Sequence, residues 1–185
     1  MQFIKTRQVK DPIRVVNENA GIDFYIPDNT EEFRKDFKTK NPATWFTPCL
    51  FDPQHPGGAN PVIFEVETGK IYIKPHCDVV IPTGIRSKFG PNLALIANNK
   101  SGIATKKKLV FGASVIDCSY QGEWHAHLIN TSDEYQVVEC GQKVIQFIPH
   151  LISTEEIEIV DQTPEEFFTE KTSRGDGWQG STGLK

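Results

Sequence analysis

Cysteine is scarce and scattered: Cys49, Cys77, Cys118 and Cys140 form no C-x-x-C pair, which argues against a zinc ribbon and against a disulfide scaffold. The four read as free thiols. Long apolar runs are missing too. The longest mainly apolar stretch, residues 109–116, falls far short of the ~20 residues a membrane-crossing helix needs. Residues 1–10 alternate apolar with polar and charged side chains and lack the apolar run of a secretory signal, so the expected compartment is the cytoplasm. Strong basic charge is absent as well: 20 Lys+Arg stand against 24 Asp+Glu, a net charge of -4. A DNA or RNA duplex would call for a far more basic surface, so neither a nucleic-acid nor a membrane partner is expected. Seven of the acids fall within residues 154–170, where no Lys or Arg occurs, which leaves a mildly basic remainder suited to a small polyanion.

What is present is β patterning. Short segments alternate with period two and end at Gly, Pro or Asn/Asp, the pattern of a sandwich or barrel. Strands are expected at 3–9, 22–26, 62–67, 71–74, 79–81, 93–97, 109–111, 124–130, 136–139 and 144–149, with turns at Thr68-Gly69 and Cys140-Gly141. Two short helices are expected. One spans 29–37, with Asn29 and Glu32 as a capping pair and Phe33 and Phe37 on one face; the other is a single turn from Thr163 through Pro164, closed by Glu166. Residues 39–61 carry five prolines and Gly57-Gly58, so a long loop without a regular ladder is expected there. The domain is expected to occupy 1–170, with 28–66 as an insert that would serve as lid, partner surface or decoration. Residues 171–185, rich in glycine, are expected to be a mobile arm.

Five segments carry polar chemistry. Ala20-Gly21-Ile22-Asp23 places an acid after a turn. Asn99-Lys100-Ser101-Gly102-Ile103-Ala104 would open a helical turn that presents N–H groups, a hydroxyl and a cation to a phosphate. Val115-Ile116-Asp117-Cys118-Ser119-Tyr120-Gln121-Gly122-Glu123 holds an acid at a strand end beside an aromatic, which suits activation of water. Gly141-Gln142-Lys143-Val144-Ile145-Gln146 buries an amide that needs a partner. The tail from Arg174 to Gly183 combines closely spaced glycines, hydroxyls and a guanidinium, the makings of an anion grip. His125 and His127, two apart on one strand face, read as hydrogen-bonded interior or interface groups, since a third metal ligand is not evident at useful spacing.

In order and spacing these segments resemble the five motifs of the homotrimeric dUTP pyrophosphatase (dUTPase) family. The resemblance covers about residues 15–27 and 70–183, and includes the 16 positions from Ser101 to Asp117. It implies an all-β, distorted jelly-roll or barrel fold, a trimer with shared active sites, and Mg2+-dependent hydrolysis of dUTP to dUMP and pyrophosphate. By the same resemblance Asp117 would activate the water that attacks the α-phosphorus, and Tyr120 would pack on the deoxyribose. Backbone near Ala113 and His125 would read the pyrimidine edge, with Ile116 as a further substrate contact. Lys100, Ser101, Gly102 and Gln146 would bind phosphate oxygens, and Asp23 would hold the Mg2+ site through water. Arg174, Gly180, Ser181 and Thr182 would close over the γ-phosphate.

Three positions depart from the family pattern. Lys100 stands where Arg is usual, which keeps the charge but loses the fork. Ser119 replaces a frequent second acid. Gln179 takes the place of a base-stacking Phe, with Trp178 one position earlier to supply the ring. That shift bears on the base more than on the reaction, so dCTP and dTTP stand as alternative substrates. The related dCTP deaminases would need a Glu where this chain has His127. A phage- or virus-derived regulator on the same fold, binding nucleotide without turnover, is the non-enzymatic alternative.

Overall fold

A computed structural model describes residues 1–48, 50–53, 59–170 and 172. The chain divides into two units, Met1–Ser153 and Thr154–Lys185.

In the first unit strands dominate, as the patterning leads one to expect. They are β1 (Gln2–Lys5), β2 (Ile22–Tyr25), β3 (Trp45–Thr47), β4 (Val62–Glu65), β5 (Lys70–Ile73), β6 (Asp78–Pro82), β7 (Ile85–Lys88), β8 (Leu93–Asn99), β9 (Leu109–Phe111), β10 (Val115–Ile116), β11 (His125–Asn130), β12 (Gln136–Glu139) and β13 (Lys143–Leu151). They form four sheets, ordered β1-β7, β10-β8-β13-β2, β6-β11-β9 and β12-β5-β4-β3. Every pairing is antiparallel except β3 with β4. Aromatic side chains from several sheets meet in one core: Phe24 stacks on Trp124 at 5.1 Å between centroids, and Phe147 packs against both.

The insert proves more ordered than its prolines suggest. Its helix, α1 (Glu31–Lys40), is capped by Thr30, whose side chain accepts from the Phe33 N–H at 3.2 Å. Asn29 is therefore not the cap. Its amide instead donates to the Val66 carbonyl and its oxygen accepts from Arg34. Phe33 and Phe37 are fully buried against Phe64, and rings of this size contribute about 1.5–3 kcal/mol each on burial. The expected ladder-free loop over 39–61 is corrected by β3, which pairs with β4 as Trp45↔Ile63, Phe46↔Phe64 and Thr47↔Glu65. The loop that follows is pinned where the Phe51 N–H donates to the buried Glu65 carboxylate at 2.9 Å.

Strand β11 has one buried face and one half-buried face. Its buried residues are Ala126, Leu128 and Asn130, so His125, His127 and Ile129 lie on the other, half-buried face. A second helix, α2 (Ser101–Lys107), starts directly after β8.

In the second unit the described structure is one turn of helix, α3 (Pro164–Phe167), closed by the reciprocal Thr163–Glu166 capping box. The expected arm at 171–185 lies, apart from residue 172, outside the described residues. Cys77, Cys118 and Cys140 are free thiols, and burial, reinforced by Asp28, pushes Cys140 up to about 12. No helix among the described residues is long and apolar enough to cross a membrane.

Candidate functional site

The hairpin between β10 and β11 gathers the first set of site residues. Asp117 leaves the end of β10 with its carboxylate exposed, and the Tyr120 N–H donates to the Asp117 carbonyl at 3.1 Å, which closes a turn. The Tyr120 hydroxyl donates to the Glu123 carbonyl at 3.0 Å, laying the ring over Gly122. A Cβ at Gly122 would sit 2.3 Å from that hydroxyl, so a larger residue there would displace the Tyr120 ring. Trp124 then drops into the core and β11 begins at His125. The result is a cavity of about 240 Å3 lined by Ala113, Ile116, Asp117, Tyr120, Glu123 and His125, floored by Trp124 and Phe147.

A second set assembles at the far end of β8. Gln146 of β13 lies opposite Asp23 of β2 on one side and Asn98 of β8 on the other. Its amide finds the partner it needed by donating to the Asn99 carbonyl at 2.8 Å. Gly21 makes room for it: a Cβ there would come within 2.1 Å of the Gln146 Oε1. Asp23, Lys100 and Gln146 line a depression of about 330 Å3, and Ser101 and Gly102 follow, exposed, in the first turn of α2.

Asp23 is buried and doubly paired. Its Oδ1 takes the Lys100 ammonium at 2.5 Å and its Oδ2 the Lys143 ammonium at 3.3 Å. Burial works against the Lys143 charge, but the hydrogen bond and charge of Asp23 outweigh it and hold this ammonium above its ordinary value. One carboxylate between two ammonium groups is a net positive center, which attracts anions. Among the described residues, no group of three or more His, Cys, Asp and Glu side chains is placed to hold a metal ion.

The two histidines part company. His127 Nδ1 accepts from the Ala113 N–H at 3.1 Å while its Nε2 faces Asp78 at 2.9 Å, which fixes the tautomer and ties down the backbone lining the first cavity. His125 Nε2 is buried with no hydrogen-bond partner among the described residues. Burial lowers the His125 pKa below its ordinary 6.5, and Lys40 adds to this, while Glu123 and Asp36 pull it back in part. The folded state thus resists the proton that the unfolded chain accepts below about 6.5. Stability is full above that pH and is lost as the pH falls toward the depressed folded value. Thermal melts between pH 7.5 and 5 should show this decline, and His125→Gln should flatten it; equal slopes would contradict it.

Arg174, Trp178, Gly180, Ser181 and Thr182 lie outside the described residues. Three groups escaped the sequence reading: Lys143, Glu123 and Arg7. Lys143 stood inside a quoted motif as a strand residue. Arg7 is 116 positions from its partner Glu123, a distance no local pattern reports.

The dUTPase family model matches residues 55–183, more than half of the chain. The chain belongs to the dUTPase family. A deoxyuridine 5'-triphosphate nucleotidohydrolase of Picosynechococcus is 30% identical over 132 residues, covering 70% of this chain and 87% of that protein. That of Arabidopsis thaliana is 34% identical over 116 residues, or 63% of this chain; the chain spans 61% of that relative's length. Among solved structures, the Staphylococcus bacteriophage 80alpha dUTPase with dUPNHPP superposes with a TM-score of 0.68 at 16% identity, over 99% of this chain and 98% of that one. This likeness is one of fold.

Proposed function

We propose that this dUTPase-family chain hydrolyses dUTP to dUMP and pyrophosphate. The observation that carries the reading is the convergence of Ala113, Ile116, Asp117, Tyr120 and His125 on one cavity of about 240 Å3. Nucleoside enters there, with Tyr120 walling the sugar and the backbone at Ala113 and His125 facing the base. Asp117 takes a proton from water as its oxygen bonds to the α-phosphorus. The bond from that phosphorus to the bridging oxygen breaks, and pyrophosphate leaves with the electron pair. Lys100, Ser101, Gly102 and Gln146 hold phosphate oxygens, with Lys143 adding charge through Asp23. By the family resemblance Arg174, Gly180, Ser181 and Thr182 would bind the γ-phosphate and Trp178 would stack on the base.

Mg2+ enters this reading chelated by the triphosphate's oxygens, with Asp23, which also pairs with two lysines, holding it through water. A structure of the phage phi11 dUTPase is described as coordinating a structural Mg(II) ion.

Site and assembly are linked. Ile116 pairs with Leu95, whereas Lys100 follows Asn99, four residues further along β8. At about 3.4 Å per residue that is ~14 Å of strand, and Asp117 steps further away. Within one chain Asp117 and Lys100 therefore lie well apart along the strand. A trimer that brings Asp117 of one subunit to the phosphate set of another resolves the separation.

The reading is tested by pyrophosphate release from dUTP, dCTP, dTTP and UTP, each with and without Mg2+. Turnover of dUTP is expected to exceed that of UTP by at least ~100-fold, because a 2'-hydroxyl forced against Tyr120 has neither room nor partner. Equal rates for dUTP and UTP would overturn the sugar wall, and no release from any of the four would overturn the reaction.

A further inference from the structure

Tyr120, Glu123 and His125 line two cavities, not one. Behind the nucleoside cavity lies a larger one of about 570 Å3, walled on its far side by α1 through Glu32, Asp36 and Lys40, with Arg7 between. The Tyr120 ring is thus a partition with open space at its back. Tyr120 is 41% exposed, and its hydroxyl is held by the Glu123 carbonyl. Where the ring stands depends on where Glu123 stands.

Glu123 is fastened by its side chain. Oε1 accepts from the Gly84 N–H at 2.6 Å, and Oε2 accepts from the Thr6 hydroxyl at 3.2 Å and from Arg7 Nη2 at 2.5 Å. The same Nη2 donates to Asp36 Oδ2 of α1 at 2.8 Å. The Arg7 side chain is 7% exposed, and its Nε and Nη1 are buried without partners among the described residues. Its charge therefore rests on these two carboxylates, and removing either leaves a buried cation poorly compensated. Asp36 in turn is held in place by α1, whose Phe33 and Phe37 are sunk in the core.

We propose that Asp36, acting through Arg7 and Glu123, is a positioning residue for Tyr120 and sets the discrimination against ribonucleotides. The inference deepens the nucleoside-site reading above and rests on it. It also gives the helix of the insert a task at the active site: it keeps the ring from swinging into the space behind it, where it would leave room for a 2'-hydroxyl.

The test measures kcat and KM for dUTP and for UTP in the full chain and in Asp36→Asn, Asp36→Glu, Arg7→Lys, Tyr120→Phe and Glu31→Gln. Asp36→Asn and Arg7→Lys are expected to lower the dUTP:UTP ratio of kcat/KM about tenfold, mainly through KM, with kcat for dUTP within about twofold. Asp36→Glu should restore most of the ratio, and the exposed Glu31→Gln on the same helix should leave it unchanged. Tyr120→Phe removes only the hydroxyl and should lower the ratio with the ion pairs intact, which keeps the test valid if Asp36→Asn fails to fold. A role confined to stability would lower the melting temperature of Asp36→Asn at an unchanged ratio, and that result overturns the proposal, as does an unchanged ratio in Tyr120→Phe. A wild-type protein with no preference for dUTP would instead overturn the underlying functional reading.

Discussion

Asp117→Asn is expected to lower kcat for dUTP by on the order of 100-fold or more while leaving substrate affinity close to wild type. Two acids line the nucleoside cavity, Asp117 and Glu123. Three hydrogen bonds, from Arg7, Thr6 and Gly84, take most of the acceptor capacity of Glu123 and hold it in place. Asp117 is the opposite case: exposed, at the end of a two-residue strand, with its backbone held by the turn to Tyr120 and its carboxylate free of hydrogen bonds among the described residues. Asn keeps the size and shape of that side chain and removes its capacity to take a proton. Because the group is exposed and unpaired, the substitution breaks no buried pair, and the fold should keep its melting temperature. The measurement is single-turnover hydrolysis of dUTP beside the dissociation constant of a non-hydrolysable analogue. Near-normal turnover would remove Asp117 from its role; a large loss of analogue binding would make it a binding residue instead of a base.

That Asp117 stood out in the sequence, while Arg7 and Asp36 did not, has a physical reason. Asp117, Tyr120 and Gly122 act through a single turn, so their relation is written in consecutive positions. The Arg7 pairings join the chain's start, the insert helix and the hairpin, and no periodicity records such contacts. Helix α1 was visible through Phe33 and Phe37, yet its cap was misplaced by one residue because Asn29 and Thr30 both carry capping side chains. Strand β3 was hidden in a proline-rich run; its three residues pair only at the edge, beside β4, where neighboring prolines cost no ladder bond. Lys143 read as one polar position of a strand, and only the antiparallel approach of β2 shows that it shares Asp23 with Lys100. Local chemistry was legible; charge pairing across strands needed the fold.

The same cross-strand geometry yields a second large effect. Ser101→Asp should be nearly inactive, since it sets a carboxylate against the triphosphate, yet it should fold well, because Ser101 is exposed and an acid in the first turn of α2 is favoured by the helix dipole. Asp117→Asn should be nearly inactive for a different reason. If Asp117 and Ser101 serve a site from different subunits, unfolding the two variants together in equal amounts and refolding them mixes the defects. Each site then has a one-half chance of an intact Asp117 and an independent one-half chance of an intact Ser101, so about a quarter of the sites regain both. A site built within one chain permits no recovery, because every chain carries one defect. The separation of ~14 Å or more along β8 favours the shared site. Turnover of dUTP by the mixture is compared with each variant refolded alone and with refolded wild type, after native mass spectrometry has shown mixed trimers. Recovery near a quarter of the wild-type rate supports the exchange between subunits; a mixed trimer no more active than its parents refutes it.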